Sequence, residues 1–221
     1  VTFLGILTIL HIVGAALGVG AAAASDSVFL SAIRNRRVSP DQYVLIRATS
    51  HVVMGGLTLL VLSGIPLALD DHDRWLQGYF LVKMTAVLIL MLNGFVFHLA
   101  ILPFLGKHLH GVLTEDVLAP RLWLFACTGA LSGVSWFTAL LLALVAPAGA
   151  SFAVLLGLYL AAVAAGAATG YLLLAQLLFR KAPEDVARVE TGDKGETGSL
   201  ILLGVLVVLF LGTIVYVVLQ R

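Results

Sequence analysis

Apolar residues run almost unbroken through stretches such as "AVLILMLNGFVFHLAILPF", residues 86–104. Between them fall polar breaks: "RNRRVSPDQ", "DDHDRW", "KHLHG", "PAGAS" and the longer "RKAPEDVARVETGDKGETGS". Runs of about 20 apolar residues are long enough to cross the hydrocarbon core of a bilayer. The pattern predicts six spans, at 2–33, 41–69, 79–105, 118–146, 151–179 and 199–220. Lipid offers no partner to an unpaired backbone amide, so each span is expected to be helical. A barrel would need alternating strands, and that alternation is absent. The expected fold is an all-α integral membrane protein, a six-transmembrane helical bundle forming one domain over 1–221.

Composition agrees, with 61% hydrophobic and 11% charged residues, far from the usual soluble balance. With a net charge of +1 and no basic block, nucleic acid is not an expected partner. The lone Cys127 excludes an intrachain disulfide. Residue 1 opens directly on apolar sequence without a cationic lead, which reads as a retained first span rather than a signal peptide. Ten of the thirteen Lys and Arg residues fall on the side of "RNRR" and three (Arg74, Lys83, Arg221) on the other. By the positive-inside rule the Arg-rich side is cytoplasmic. Both termini then face outward, to the periplasm if the membrane is the bacterial inner membrane. The segment 180–198 becomes a cytoplasmic loop.

The six histidines divide the chain. His11, His51 and His98 lie within spans one, two and three, whereas His72, His108 and His110 lie in breaks or at span ends. A histidine-bearing three-helix half (1–110) thus precedes a histidine-free half (117–221), and chemistry is expected in the first. At a rise of about 1.5 Å per residue, His51 lies roughly 3–5 Å inside the Arg-rich boundary and His98 roughly 10 Å. The pair can therefore face one another across antiparallel helices. His11 lies some 20 Å from that boundary, in another layer. Gly55 follows His51 by four residues and Gly94 precedes His98 by four, each on its histidine's face. A porphyrin with axial imidazoles needs side-chain-poor surface beside the metal. Arg47, one turn from His51, is suited to a propionate. His51, His98, Gly55, Gly94 and Arg47 are thus candidates for a haem b pocket, with His11 as reserve ligand. The plainer alternative is that the histidines join helices by hydrogen bonds and the glycines let helices pack, as Gly14/Gly18, Gly129/Gly133 and Gly166/Gly170 are expected to do.

Lys83 enters the outer part of span three, within "GYFLVKMTAV", at the level of His11. Either it snorkels to Asp70, Asp71 or Asp73, or it lines a second site with His11 and Met84 or Met91, for a second haem, a quinone or a metal. Asp26 has a similar duality: it is expected to pair with Arg47 or Arg34 rather than to relay protons. "SGVSWFTALL" reads as interhelical hydrogen bonding and packing. No Ser–His–Asp, P-loop or zincin pattern is present.

The stretches "ILHIVGAALGVG" in span one and "RWLQGYFLVKM" followed by His98 in span three resemble the superfamily of HemJ-type protoporphyrinogen oxidases and CopD copper-resistance membrane proteins, over about the first 110 residues. The resemblance implies a functional histidine in the first span and a lysine in the third, at His11 and Lys83. The chain is also similar to bacterial membrane proteins that sometimes carry a cytochrome b5-like domain, which is not found in this sequence. Three functions are consistent with these readings. The first is a b-type haem protein for electron transfer, with iron as the metal, acting as the anchor of a redox complex or with a quinone, and compatible with an oligomer; a HemJ-like tetrapyrrole oxidase is its variant. The second is a copper or ion transport protein without haem. The third is a cofactor-free structural subunit.

Overall fold

The structure, a computed structural model, describes residues 2–179 apart from Asp71, His110 and Ala148. The sixth apolar run and the loop 180–198 lie outside the described residues. In chain order come α1 (Phe3–Arg34), α2 (Pro40–Asp70), a 3-10 turn (His72–Leu76), α3 (Gly78–Val96), a π-helical segment (Phe97–Ile101), α4 (Leu102–Lys107), α5 (Glu115–Leu118), a second 3-10 turn (Ala119–Arg121), α6 (Leu122–Val145) and α7 (Phe152–Phe179). The chain is all-α, with five helices, of 27 to 32 residues, long and apolar enough to span a membrane. They are about 40–48 Å long, more than the ~30 Å of hydrocarbon, so their ends reach the headgroup layer. Side chains such as Leu144 (83% exposed) and Leu99 (79%) face outward, which is stable only where lipid replaces water.

Local sequence sets the ends. The Thr2 hydroxyl accepts from Gly5 N–H at 3.2 Å and opens α1. Arg36, at φ 50°, reverses the chain after α1. Ser39 and Gln42 then form a reciprocal capping box, Ser39 N–H to Gln42 Oε1 and Gln42 N–H to Ser39 Oγ, both 3.1 Å, with Pro40 at the first helical position. At the opposite end, Trp75 donates its indole N–H to the Ala68 carbonyl at 3.0 Å. Gly78 abuts the α6–α7 connection so closely that a Cβ there would lie 2.5 Å from the Ala150 carbonyl oxygen.

α1 packs along α2, α3 along α6 and α6 along α7, while α2 and α3 share few contacts. The α1–α2 seam is made of bare backbone: a Cβ on Gly14 would lie 2.8 Å from the Gly56 carbonyl oxygen, and one on Gly56 equally close to Gly14 O and Gly18 N. Gly166 and Gly170 face Ala130 and Ala126 of α6 at 3.3–3.6 Å. Those two expected packing pairs hold. Gly129 and Gly133 do not pack: among the described residues nothing lies within 4 Å of a Cβ at either. Their spacing is right for packing, but spacing does not say which face meets a neighbour.

Two apolar clusters occupy different levels. At the Arg-rich end, Ala32, Ile33, Val38, Ile46, Leu105, Leu113 and Leu118 form a closed core. It is clasped by Leu113 N–H to Arg36 O (2.8 Å) and by isolated bridges Arg37–Val112 and Val38–Leu109. Arg36 also donates to the Leu178 carbonyl near the end of α7. Further along the bundle, Ala22, Leu57, Leu60, Val87, Leu90, Trp136 and Ala139 form a second cluster. A polar level lies between the two.

Candidate functional site

Within that level the α3 span changes pitch. Leu102 N–H bonds the Phe97 carbonyl five residues back, the signature of a π turn. Pro103 supplies the cause: it has no amide for the Leu99 carbonyl, and its ring would crowd that carbonyl in a regular α-helix. Widening the helix immediately before the proline relieves both problems. His98 sits inside this segment.

His98 Nδ1 lies 2.9 Å from the Gly94 carbonyl on its own helix. A carbonyl only accepts, so Nδ1 carries the proton and Nε2 of the neutral ring holds the lone pair. Ser50 Oγ lies 3.4 Å from Nε2, but its one proton goes to the Arg47 carbonyl at 2.7 Å. Nε2 is left with a weak neighbour. The His51 ring stands edge-on to His98, centroids 5.9 Å apart and planes at 66°. An edge-on ring pair at this separation is an ordinary aromatic contact. The expected juxtaposition of His51 and His98 is thus present. His51 itself is exposed at the bundle surface.

The glycines behave differently from a pair of bare walls. Gly55 is open, with nothing within 4 Å of a Cβ. Gly94 faces the Met54 sulfur, 3.1 Å from where a Cβ would be. The donors fit a haem iron, with Nδ1–H of His98 held by a carbonyl as ligating histidines usually are. The space beside Gly94 fits a porphyrin only with Met54 turned aside, a movement its three rotatable bonds permit. The Arg47 side chain is exposed one turn from His51.

His11 is built in another way. Its Nδ1 lies 3.0 Å from the Leu60 carbonyl and 3.2 Å from Ser63 Oγ, so it joins α1 to α2. Gly64 makes room for the ring, which a Cβ there would approach to 2.9 Å. Lys83 is near enough for its charge to act on His11, and its ammonium lies 5.1 Å from the Phe80 ring centroid. The outer layer therefore assembles His11 and Lys83, apart from the His51–His98 pair.

Beside His98 lies a cavity of about 80 Å³ bounded by α1, α2, α3 with its π segment, and α6. Its polar wall includes Asp26, Ser50, Asn93, His98, Ser132 and Trp136. Asn93 Nδ2 donates to the Thr128 carbonyl at 3.0 Å, but its Oδ1 has no partner, and neither has Trp136 Nε1. Among the described residues Asp26 has neither ion pair nor hydrogen bond, so the expected pairing with Arg47 or Arg34 does not occur. Asn93 and Met54 were not among the residues expected from sequence, although an amide inside an apolar run is itself a signal. Trp136 and Ser132, read from sequence as packing, line the cavity from the histidine-free half. Among the described residues no group of three or more His, Cys, Asp or Glu side chains is placed to hold a metal. No family model, curated protein or solved structure matches the chain.

Proposed function

We propose that the protein is a membrane redox protein holding a b-type haem through His98 and His51, and that it transfers electrons. The observation that carries this reading is the pair of imidazoles 5.9 Å apart, with the His98 tautomer set by the Gly94 carbonyl. A bound haem would supply one-electron transfer, with His98 and His51 as the residues that would hold it. For their part, His98 presents a fixed lone pair, Gly55 leaves room along α2, and Arg47 meets a propionate at the headgroup level. A second reading, copper handling, is favoured by one observation: the soft Met54 sulfur lies beside the pair. The resemblance to HemJ-type oxidases belongs here too, with His11 and Lys83 as the alternative active pair.

The same proposal places the sixth apolar run, 199–220, across the membrane, the Arg-rich end in the cytoplasm and both termini in the periplasm of a bacterial inner membrane. A quinone or a partner redox subunit exchanges the electron. Oxidised and dithionite-reduced visible spectra of the detergent-purified protein, beside His51→Ala and His98→Ala, test the haem. A sharp reduced α-band lost in either variant is expected; a colourless protein made with full haem supply sinks this reading. Stoichiometric copper in that colourless protein, lost with Met54→Leu, would move the assignment to the second.

A further inference from the structure

The cavity beside His98 combines features that apolar packing does not explain. Asp26 brings a carboxyl into it with no cation or hydrogen-bond donor at hand. Asn93 is 9% exposed, and its amide oxygen, an acceptor without a donor, belongs to the same wall. Hydroxyls come from Ser50 on α2 and from Thr128 and Ser132 on α6. Leaving a buried acceptor unmade costs about 1–3 kcal/mol, and an uncompensated carboxylate inside a membrane costs more. Both costs are removed together by a positive charge that takes oxygen ligands.

We propose that this cavity is a binding site for one small, hard, monovalent cation, held by the Asp26 carboxylate and Asn93 Oδ1 with serine and threonine hydroxyls completing the shell. Oxygen donors select hard ions over soft ones. A single carboxylate selects one positive charge over two, because a divalent ion would leave net charge in a low-dielectric interior. The cavity measures about 80 Å³, more than one water needs. That space holds an ion with its water, and such a water would accept from Trp136 Nε1, the second cavity residue with an unpartnered group. Among the lining residues the titratable side chains are Asp26 on α1 and His98 on the π segment; α2 and α6 contribute neutral groups. Na⁺ meets these requirements of charge, hardness and size.

The test is thermal unfolding of the purified full chain in choline chloride, replaced stepwise by NaCl at constant ionic strength, for the wild type, Asp26→Asn, Asn93→Leu and His98→Ala. A saturable Na⁺-specific rise, about 5 to 10 °C at a hundredfold excess over Kd, lost in Asp26→Asn and Asn93→Leu but kept in His98→Ala, identifies Na⁺. No Na⁺ effect, with a carboxylic-acid infrared band at neutral pH that vanishes in Asp26→Asn, shows Asp26 neutralised by its own proton and overturns the proposal. An ionised Asp26 without any Na⁺ effect overturns the proposal, as does an Na⁺ effect undiminished in both cavity variants. Should Asp26→Asn not fold, Trp136 fluorescence in Trp75→Phe/Trp123→Phe protein reads the same Na⁺ titration without altering the cavity's polar wall; a saturable Na⁺-specific change supports the proposal and a flat titration overturns it.

Discussion

His11 and His98 are both half-buried histidines within apolar helices, yet their hydrogen bonds do opposite things. His11 sends Nδ1 across to the Leu60 carbonyl and Ser63 of the neighbouring helix. His98 sends Nδ1 back to a carbonyl four residues earlier on its own span. The first bond holds two helices together. The second holds nothing together but fixes the ring and its tautomer, and leaves Nε2 beside Ser50 of α2, with the His51 ring edge-on to it. Intramembrane histidine is thus adhesive when it reaches another backbone, and available when it satisfies itself locally.

Four substitutions break or sharpen this contrast. The largest effect is expected at the α1–α2 seam that His11 reinforces: Gly56→Leu forces a side chain into the Gly14 and Gly18 backbones and should cost about 3 kcal/mol or more. Unfolding in increasing SDS measures it. His11→Ala should come next, losing about 1–2 kcal/mol in the same assay while leaving any spectral or metal signature intact. If it abolished that signature at wild-type stability, the division between the layers would be wrong. His98→Ala should reverse the pattern, removing the signature at a stability cost below about 1 kcal/mol. Gly55→Ala, in open space, should change stability by no more than about 0.5 kcal/mol. Any loss of a reduced α-band there would locate the porphyrin against α2.

Five of the six expected spans were legible as long apolar helices because lipid leaves the backbone one solution, and the His51–His98 meeting was legible because depth along a helix follows from counting residues. What the sequence concealed depends on rotation and on exceptions to regular pitch. Gly129 and Gly133 have the spacing of a packing pair but meet no described neighbour. Met54 fills the space that Gly94 leaves, which no count along one helix discloses. Pro103 was passed over within the span 79–105, and the relief of its missing hydrogen bond by a π turn, and with it the pose of His98, is a three-dimensional outcome. Asp26 was expected to pair with arginine because charges in spans usually pair; its place beside the cavity follows from the rotation of α1.

The clasp at the Arg-rich end has a consequence for assembly in time. α1 and α2 are joined by a short turn with its own capping box, and their glycine seam involves only residues up to about 60. That hairpin can close as soon as its second helix has entered the bilayer. The bond from Leu113 to Arg36 waits until a further span has been synthesised and inserted. The contacts around Leu113 and Leu118 therefore form late, and strengthening them should slow unfolding far more than it speeds folding.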